Sequence, residues 1–334
     1  MSMTSPAWLA QVKEDILEPE LKICDPHHHL WDHPNNRYML EDVLADLGSG
    51  HNVVQTVYME CGSMYRADGA EALKPVGETE FVERIAVMSE SGDYGPIRVC
   101  AANVGFADLT LGEAVGEILD AHRAASPRFV GIRHATAWDA SDAVRISHTL
   151  PKQSLLLDTT FRKGVNELTK RGLTFDAWLY HPQIPELVFL ARAVPEQTIV
   201  FDHFGGPLGI GPYVGKQKAI FGYWKDAVAE LAQCDNVVAK LGGLAMPING
   251  FGFHKAERPA SSEELVAMNG AYYDHMIEQF GPQRCMFESN FPVDKASCSY
   301  AVLWNAFKRI TADYSTDEKA ALYHDTAARV YGLL

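Results

Sequence analysis

The chain of 334 residues is predicted to fold as an α/β protein of the (β/α)8 TIM-barrel class, a single domain with extended loops at the C-terminal face. Three observations predict it. Eight short apolar, β-branched runs recur along the chain. Each is followed by a loop and then a longer amphipathic stretch. No Pro/Ser-rich linker, low-complexity tract or internal repeat interrupts the series. An open doubly wound sheet is the best alternative, and the count of eight disfavours it.

The runs read as strands at "LKIC" (21–24), "VVQTVYME" (53–60), "IRVCAANVG" (97–105) and "RFVGIRHA" (128–135), then "LTFDAWLY" (173–180), "QTIVFDHFG" (197–205), "NVVAKLGG" (236–243) and "RCMFESN" (284–290). Between them lie helical patterns such as "ETEFVERIAVMSES", "RKGVNELTKRG", "YWKDAVAELAQC" and "SSEELVAMNGAYYDHMIEQFG", and "STDEKAALYHDTAARVYGLL" closes the chain with its carboxylates on a capped, solvent-facing first turn. Residues 1–20 form an N-terminal extension and 21–334 the barrel. The long connections, about 61–77, 138–160, 204–221 and 244–262, all follow a strand, which in a barrel places them at the catalytic mouth.

Composition narrows the function. With 47% hydrophobic and 22% charged residues the chain has the material for a sizeable core. A net charge of −14, without a Lys/Arg run, excludes a polyanion such as nucleic acid as partner. The opening residues lack a basic stretch followed by an apolar one, and no segment reaches the ~18 apolar residues of a membrane span, so a cytoplasmic protein without a membrane partner is expected. The six cysteines make no C-x-x-C pair and read as reduced thiols. "GIGPYVGK" lacks the residues of a phosphate loop and reads as a flexible mouth loop.

Polar residues fall repeatedly at strand ends, where a barrel places its chemistry: His27 and His29, Glu60, Arg133 and His134, Asp176, His203, Lys240, and Glu288 with Asn290. In "CDPHHHLWD" the spacing His27-x-His29 sets two imidazoles on one side of an extended segment, as a metal or a pair of substrate hydrogen bonds requires, and turns His28 away. Alternation in "FVGIRH" points Arg133 inward as a cation in the mouth, suited to an anionic small-molecule substrate; Lys240, Glu60 and His134 are further candidate substrate contacts. Asp25 and Asp32 either orient the histidines or cap the turn.

These segments resemble a known family. "ICDPHHHLWD", "FVGIRH", "IVFDHFGGP", "VVAKLGGL" and "RCMFESNFPVD" are similar, in that order, to the amidohydrolase-2 branch of the amidohydrolase superfamily, which includes 2-pyrone-4,6-dicarboxylate lactonase and sugar-acid lactonases. The resemblance implies a hydrolase that opens a lactone of a small organic or sugar acid with activated water. It matches His27, His29 and His203 to histidines that bind metal or substrate, and Arg133 to an arginine that holds a substrate carboxylate. One divalent ion such as zinc would use those three histidines. Asn290 departs from the pattern, standing where the branch carries an aspartate that activates water and often ligates metal, which tilts the expectation toward metal-free catalysis. Glu288 is then the first candidate for the base, since it shares Asn290's face, and Asp294 the second, since Pro292 turns the loop back. A metal-dependent decarboxylase of an aromatic acid and a catalytically silent ligand-binding barrel are the alternatives. The sequence leaves the oligomeric state open.

Overall fold

The computed structural model describes residues 5–34, 36–144 and 149–334. Eight parallel strands pair in chain order: β1 (Lys22–His28), β2 (Asn52–Met59), β3 (Arg98–Gly105), β4 (Phe129–Arg133), β5 (Thr174–Ala177), β6 (Ile199–Phe201), β7 (Val237–Leu241) and β8 (Cys285–Phe287). One helix follows each: α1 (Leu40–Leu47), α2 (Val76–Glu90), α3 (Gly116–Ala125), α4 (Thr159–Arg171), α5 (Ile184–Ala193), α6 (Gln217–Leu231), α7 (Ser262–Phe280) and α8 (Tyr300–Ile310). The expected (β/α)8 barrel is therefore present.

The seam between β8 and β1 is sewn just past the last regular ladder. Asn290 N–H donates to the His27 carbonyl (2.9 Å) and His29 N–H to the Phe291 carbonyl (2.8 Å). Asp25 is the side-chain staple of this seam. Its Oδ1 accepts from Ser289 N–H (2.9 Å) and its Oδ2 from the Tyr300 hydroxyl (2.9 Å). Asp32 lies exposed on a small antiparallel ribbon.

Strand ends differ from the sequence reading where the chemistry begins. β1 runs on through His28, whereas β6 stops at Phe201 and β8 at Phe287. Just beyond these ends the backbone turns, and His203, Phe204 and Asn290 hold positive φ of 52°, 59° and 55°. Such angles are sparsely populated by non-glycine residues and persist where surrounding contacts enforce them.

Alternation divides the core into two layers. Ile23, Val53, Ile132, Phe175, Ile199, Val237 and Phe287 pack outward against the helices. Cys24, Val57, Ala102, Val104, Val200, Val238 and Met286 fill the lower barrel. The C-terminal segment, Thr316–Val330, starts with the expected capping box, Glu318 N–H to Ser315 Oγ (3.3 Å) and Ser315 N–H to Glu318 Oε2 (2.8 Å). It then brings Ala327 and Tyr331 into that inner layer. Residues ahead of β1 lie along the barrel wall, with Leu17 N–H on Asn305 Oδ1 (3.0 Å) and Lys308 Nζ on the Leu17 carbonyl (2.7 Å). Among the described residues no helix is long and apolar enough to cross a membrane, and all six cysteines are free thiols.

Candidate active site

Two residues up each inner face from the apolar layer, the side chains become ionisable: Val200 gives way to Asp202, Val238 to Lys240 and Met286 to Glu288. All three charged groups are fully buried. Lys240 Nζ lies 3.0 Å from Asp176 Oδ2, 3.2 Å from Asp202 Oδ1 and 3.2 Å from His27 Nδ1. Burial works against its ammonium, but Asp202, Asp176 and Glu288 together raise it above the ordinary lysine value.

Above this layer sit the histidines. The tilted rings of His27 and His203 are 4.4 Å apart, and His203 Nδ1 meets Glu288 Oε1 at 2.6 Å. Glu288 Oε2 stands 2.8 Å from His27 Nδ1 without hydrogen-bond alignment. Burial pushes the Glu288 carboxyl up to about 8, against the pull of Lys240 and Arg133. At neutral pH it therefore largely carries a proton, which relieves the contact between Oε2 and the ring.

A carbonyl only accepts, which fixes the tautomer of His29. His29 Nδ1 touches the Met59 carbonyl (2.8 Å), so its proton is on Nδ1 and Nε2 is bare. His27 lies between two donors, Lys240 Nζ 3.2 Å from its Nδ1 and an Arg133 guanidinium nitrogen 3.3 Å from its Nε2, and a neutral imidazole accepts from only one of them; its Nε2 also stands 3.3 Å from His29 Nε2. The three imidazoles are held neutral. Burial is the largest cause for each, joined by Lys240 for His27 and by Arg133 for His29, and His203 falls to about 3.

Arg133 reaches the same point from β4. Its Nε donates to Glu60 Oε1 (2.7 Å), a second guanidinium nitrogen to the Glu60 carbonyl, and the third nitrogen lies 3.3 Å from His27 Nε2. Trp178 sets its edge to His203 (5.1 Å between ring centroids), and Trp31 stacks on His29 (5.9 Å).

The structure thus brings His27, His29, His203, Glu288, Lys240, Arg133 and Glu60 together. It puts others elsewhere. His134 turns to the helix side, where Nδ1 accepts from Leu109 N–H (3.2 Å) and the ring packs between Phe106 and Phe161, so the expected substrate contact is a packing residue. Asn290 Nδ2 donates to Asp294 Oδ1 (2.9 Å), and Asp294 Oδ2 accepts from Ala245 N–H (3.2 Å). These two clamp the loops after β7 and β8. His28 faces away, on Thr56 Oγ1 at 2.8 Å.

Sequence reasoning passed over Asp202 and the glycines of "KLGG". A Cβ on Gly242 would meet Glu288 Cγ at 2.4 Å, and one on Gly243 would meet His203 Nδ1 at 2.5 Å. A glycine doublet directly after an inward-facing charged residue is the signal that was there to find.

Among the described residues, the ligand atoms of His27, His203 and Glu288 all lie within 4.8 Å of one another, close enough to share one cation. His29, expected as the third ligand, is not among them. Four carboxylates (Glu60, Asp176, Asp202, Glu288) face two cations (Arg133, Lys240). That excess of negative charge, together with the unaligned Glu288 Oε2, fits either bound protons or a divalent cation.

The profile of the amidohydrolase family matches residues 24–333. An uncharacterized protein of Sinorhizobium fredii is 33% identical over 93% of this chain and 99% of its own length. L-fucono-1,5-lactonase of Burkholderia multivorans is 26% identical over 92% of this chain and 95% of that one. An amidohydrolase from Burkholderia multivorans, solved with bound zinc, aligns with a TM-score of 0.70 at 23% identity, covering 93% of this chain and 99% of that chain. The chain belongs to the amidohydrolase family.

Proposed function

We propose that this protein hydrolyses the lactone of a sugar acid, with His203 as the general base. The observation that carries the reading is the 2.6 Å contact between His203 Nδ1 and Glu288 Oε1. An Nδ1–H held on a buried carboxyl leaves Nε2 bare to take a proton from water. Glu288, expected from the sequence to be the base itself, lies beneath both rings and orients them. Water adds to the lactone carbonyl as its proton passes to His203 Nε2. The oxyanion is met by the Arg133 nitrogen beside His27 Nε2. Collapse expels the ring oxygen, which takes the proton back from His203 and leaves the open hydroxy acid.

Arg133 supports a neutral lactone over the carboxylated one expected from the sequence. Glu60 already occupies its Nε and meets its charge, so a substrate carboxylate would have to compete with a buried ion pair. Trp178 offers an aromatic ring to the apolar side of a sugar ring, and the named lactonase relative acts on such a compound.

A divalent ion such as zinc, when held by His27, His203 and Glu288, supplies a Lewis acid for the carbonyl oxygen. His203, once it held the ion, would have no free nitrogen left to act as base, so the proton transfers above are those of the chain's own residues without a metal on His203.

The test is acid release at constant pH from a panel of sugar-acid lactones, carboxylated lactones and aromatic carboxylic acids, with and without added zinc. Sugar-acid lactones should be opened, and His203→Gln should lower kcat by ~10²-fold or more. Release of carbon dioxide from the aromatic acids, or no acid from any lactone, overturns the reading.

A further inference from the structure

The peptide that joins Glu60 to Cys61 is held at both ends, by one side chain from β4 and one from α2. Its carbonyl accepts from the Arg133 guanidinium, whose Nε donates to the carboxylate of the same Glu60 (2.7 Å). Its N–H, on Cys61, donates to Glu78 Oε1 at 2.9 Å. The peptide is trans, so its planar unit points carbonyl and N–H in opposite directions, and fixing one end aims the other. Glu78 stands in the first turn of α2. The same Oε1 also accepts from Ser63 N–H (3.0 Å) and the Tyr58 hydroxyl (2.8 Å), whereas Oε2 is buried and meets no donor. The start of α2 is pressed onto this turn: a Cβ on Gly77 would lie 2.5 Å from Arg66 N and 2.8 Å from the Met64 carbonyl oxygen. Glu60 and Glu78 are both buried to within about one per cent.

We propose that Glu78 is a positioning residue of the active site, pinning the Cys61 N–H so that the Glu60 carbonyl stays turned to Arg133. The guanidinium plane is fixed only by two acceptors. With the Glu60 carboxylate on Nε and the Glu60 carbonyl on a second nitrogen, the fork is set and its third nitrogen is left at the mouth, 3.3 Å from His27 Nε2. Without an acceptor at Oε1, the Cys61 N–H is unpaired in a half-buried turn, and the peptide rotates to find another partner. That rotation carries the carbonyl off Arg133, and the guanidinium swings about its one remaining bond to Glu60. The reach of the Glu78 side chain matters here more than its charge, because three donors converge on one oxygen and an amide oxygen accepts from the same three. Burial and the neighbouring Glu60 both raise the Glu78 carboxyl, which favours its uncharged form in the same place.

The direction of the peptide is independent of substrate identity; only the rate readout rests on the proposed lactone hydrolysis. The experiment compares the full-length wild type with Glu78→Gln, Glu78→Asp and Thr79→Val, each also combined with Arg133→Lys. Glu78→Gln keeps the reach of the side chain and replaces the carboxyl. Glu78→Asp keeps the carboxyl and withdraws it by one methylene. Thr79→Val breaks the 2.7 Å contact of Thr79 Oγ1 with His122 Nδ1, at the next position of the same helix, and leaves the turn after Glu60 in place. On a sugar-acid lactone that wild type opens, Glu78→Asp should lower kcat about tenfold with KM unchanged, the scale of one lost hydrogen bond to a charged group. Glu78→Gln and Thr79→Val should stay close to wild type. Arg133→Lys cannot form the planar fork, so in its presence Glu78→Asp should lower kcat no further. Crystal structures of the three single variants should show the Glu60 carbonyl turned from Arg133 in Glu78→Asp alone. A wild-type Glu60 carbonyl in Glu78→Asp overturns the proposal, as does an equal loss in Glu78→Gln or Thr79→Val, or a tenfold loss repeated on top of Arg133→Lys. If wild type opens no lactone, the lactonase reading falls while the crystal structures still decide the role of Glu78.

Discussion

The floor and the mouth of this barrel are built on the same strand faces, two residues apart, and they solve opposite problems. At the floor, Val200, Val238 and Met286 close on one another and on Ala327 and Tyr331, a layer whose free energy comes from apolar area removed from water. At the mouth, Asp202, Lys240 and Glu288 are just as buried, and burial there opposes every charge it encloses. The floor tolerates rough substitution because hydrophobic contact is non-directional. The mouth does not, because each ion depends on named partners at about 3 Å. Positive φ at His203 and Asn290 gathers at the mouth as well, where contacts hold the backbone in conformations it otherwise avoids.

Lys240→Met is the substitution that breaks this contrast most visibly. It leaves Asp176 and Asp202 without their shared cation, and removing one partner of a buried ion pair costs about 3–5 kcal/mol. Val238→Ala, one step below on the same face, deletes two methyl groups and costs about 2 kcal/mol. Urea unfolding at pH 7 measures both. The loss at Lys240 should shrink near pH 5, since burial pushes the Asp202 carboxyl up to about 6 and the proton it then binds replaces part of the missing charge. Equal losses for the two variants at both pH values would remove the distinction between the layers.

A smaller effect on stability, and a large one on turnover, is expected at Gly243. Its φ is +81°, and an added Cβ falls 2.5 Å from His203 Nδ1. Gly252 has φ +80° with open space around its Cβ position, so Gly252→Ala carries the backbone strain alone, roughly 1–3 kcal/mol. Gly243→Ala adds displacement of the His203 ring from Glu288, and misplacing a reacting group by ~1 Å costs about 10²-fold in rate. The comparison is kcat on an opened lactone beside the unfolding midpoint. Similar kcat for the two variants would mean that the glycine serves the loop and not the imidazole.

The floor was readable in the sequence because it obeys periodicity: alternating apolar runs name the strands and the inner face together. The mouth was readable in part. His27, His203, Lys240 and Glu288 announce themselves as ionisable residues at strand ends, but their partners do not follow from position. Glu60 reads as a candidate substrate contact until Arg133 is seen on it, and His134 reads as a mouth residue until its ring is found between two phenylalanines. Tyr331 gives no signal in an amphipathic C-terminal pattern, because the partner of its hydroxyl, Asp176, stands 155 residues away.

The smallest expected effect is the most specific about how the mouth holds its carboxyls. Burial pushes Asp294 up to about 8 from its ordinary 3.8, with Glu288 adding to the rise while Asn290 and the Ala245 N–H oppose it. Between those values the folded protein keeps a proton that the unfolded chain has released. The stability this group contributes is therefore full below about pH 4 and is lost as pH rises toward 8. The neutral histidines act in the opposite sense and lower down, between about 3 and 6.5 for His203, so a slope between pH 6.5 and 8 belongs to raised carboxyls such as Asp294 and Glu288. Asp294→Asn replaces one acceptor oxygen with a donor facing Asn290 or Ala245, which costs about 1 kcal/mol at pH 6. It also removes one titrating proton, worth at most about 1.4 kcal/mol per pH unit of slope. Urea midpoints taken from pH 6 to pH 8.5 should show the variant less stable at the acid end and losing less than wild type as pH rises, so that the two curves converge. Parallel curves would mean that Asp294 is already ionised in the folded protein at pH 6, with Asn290 and Ala245 holding an anion and not an acid.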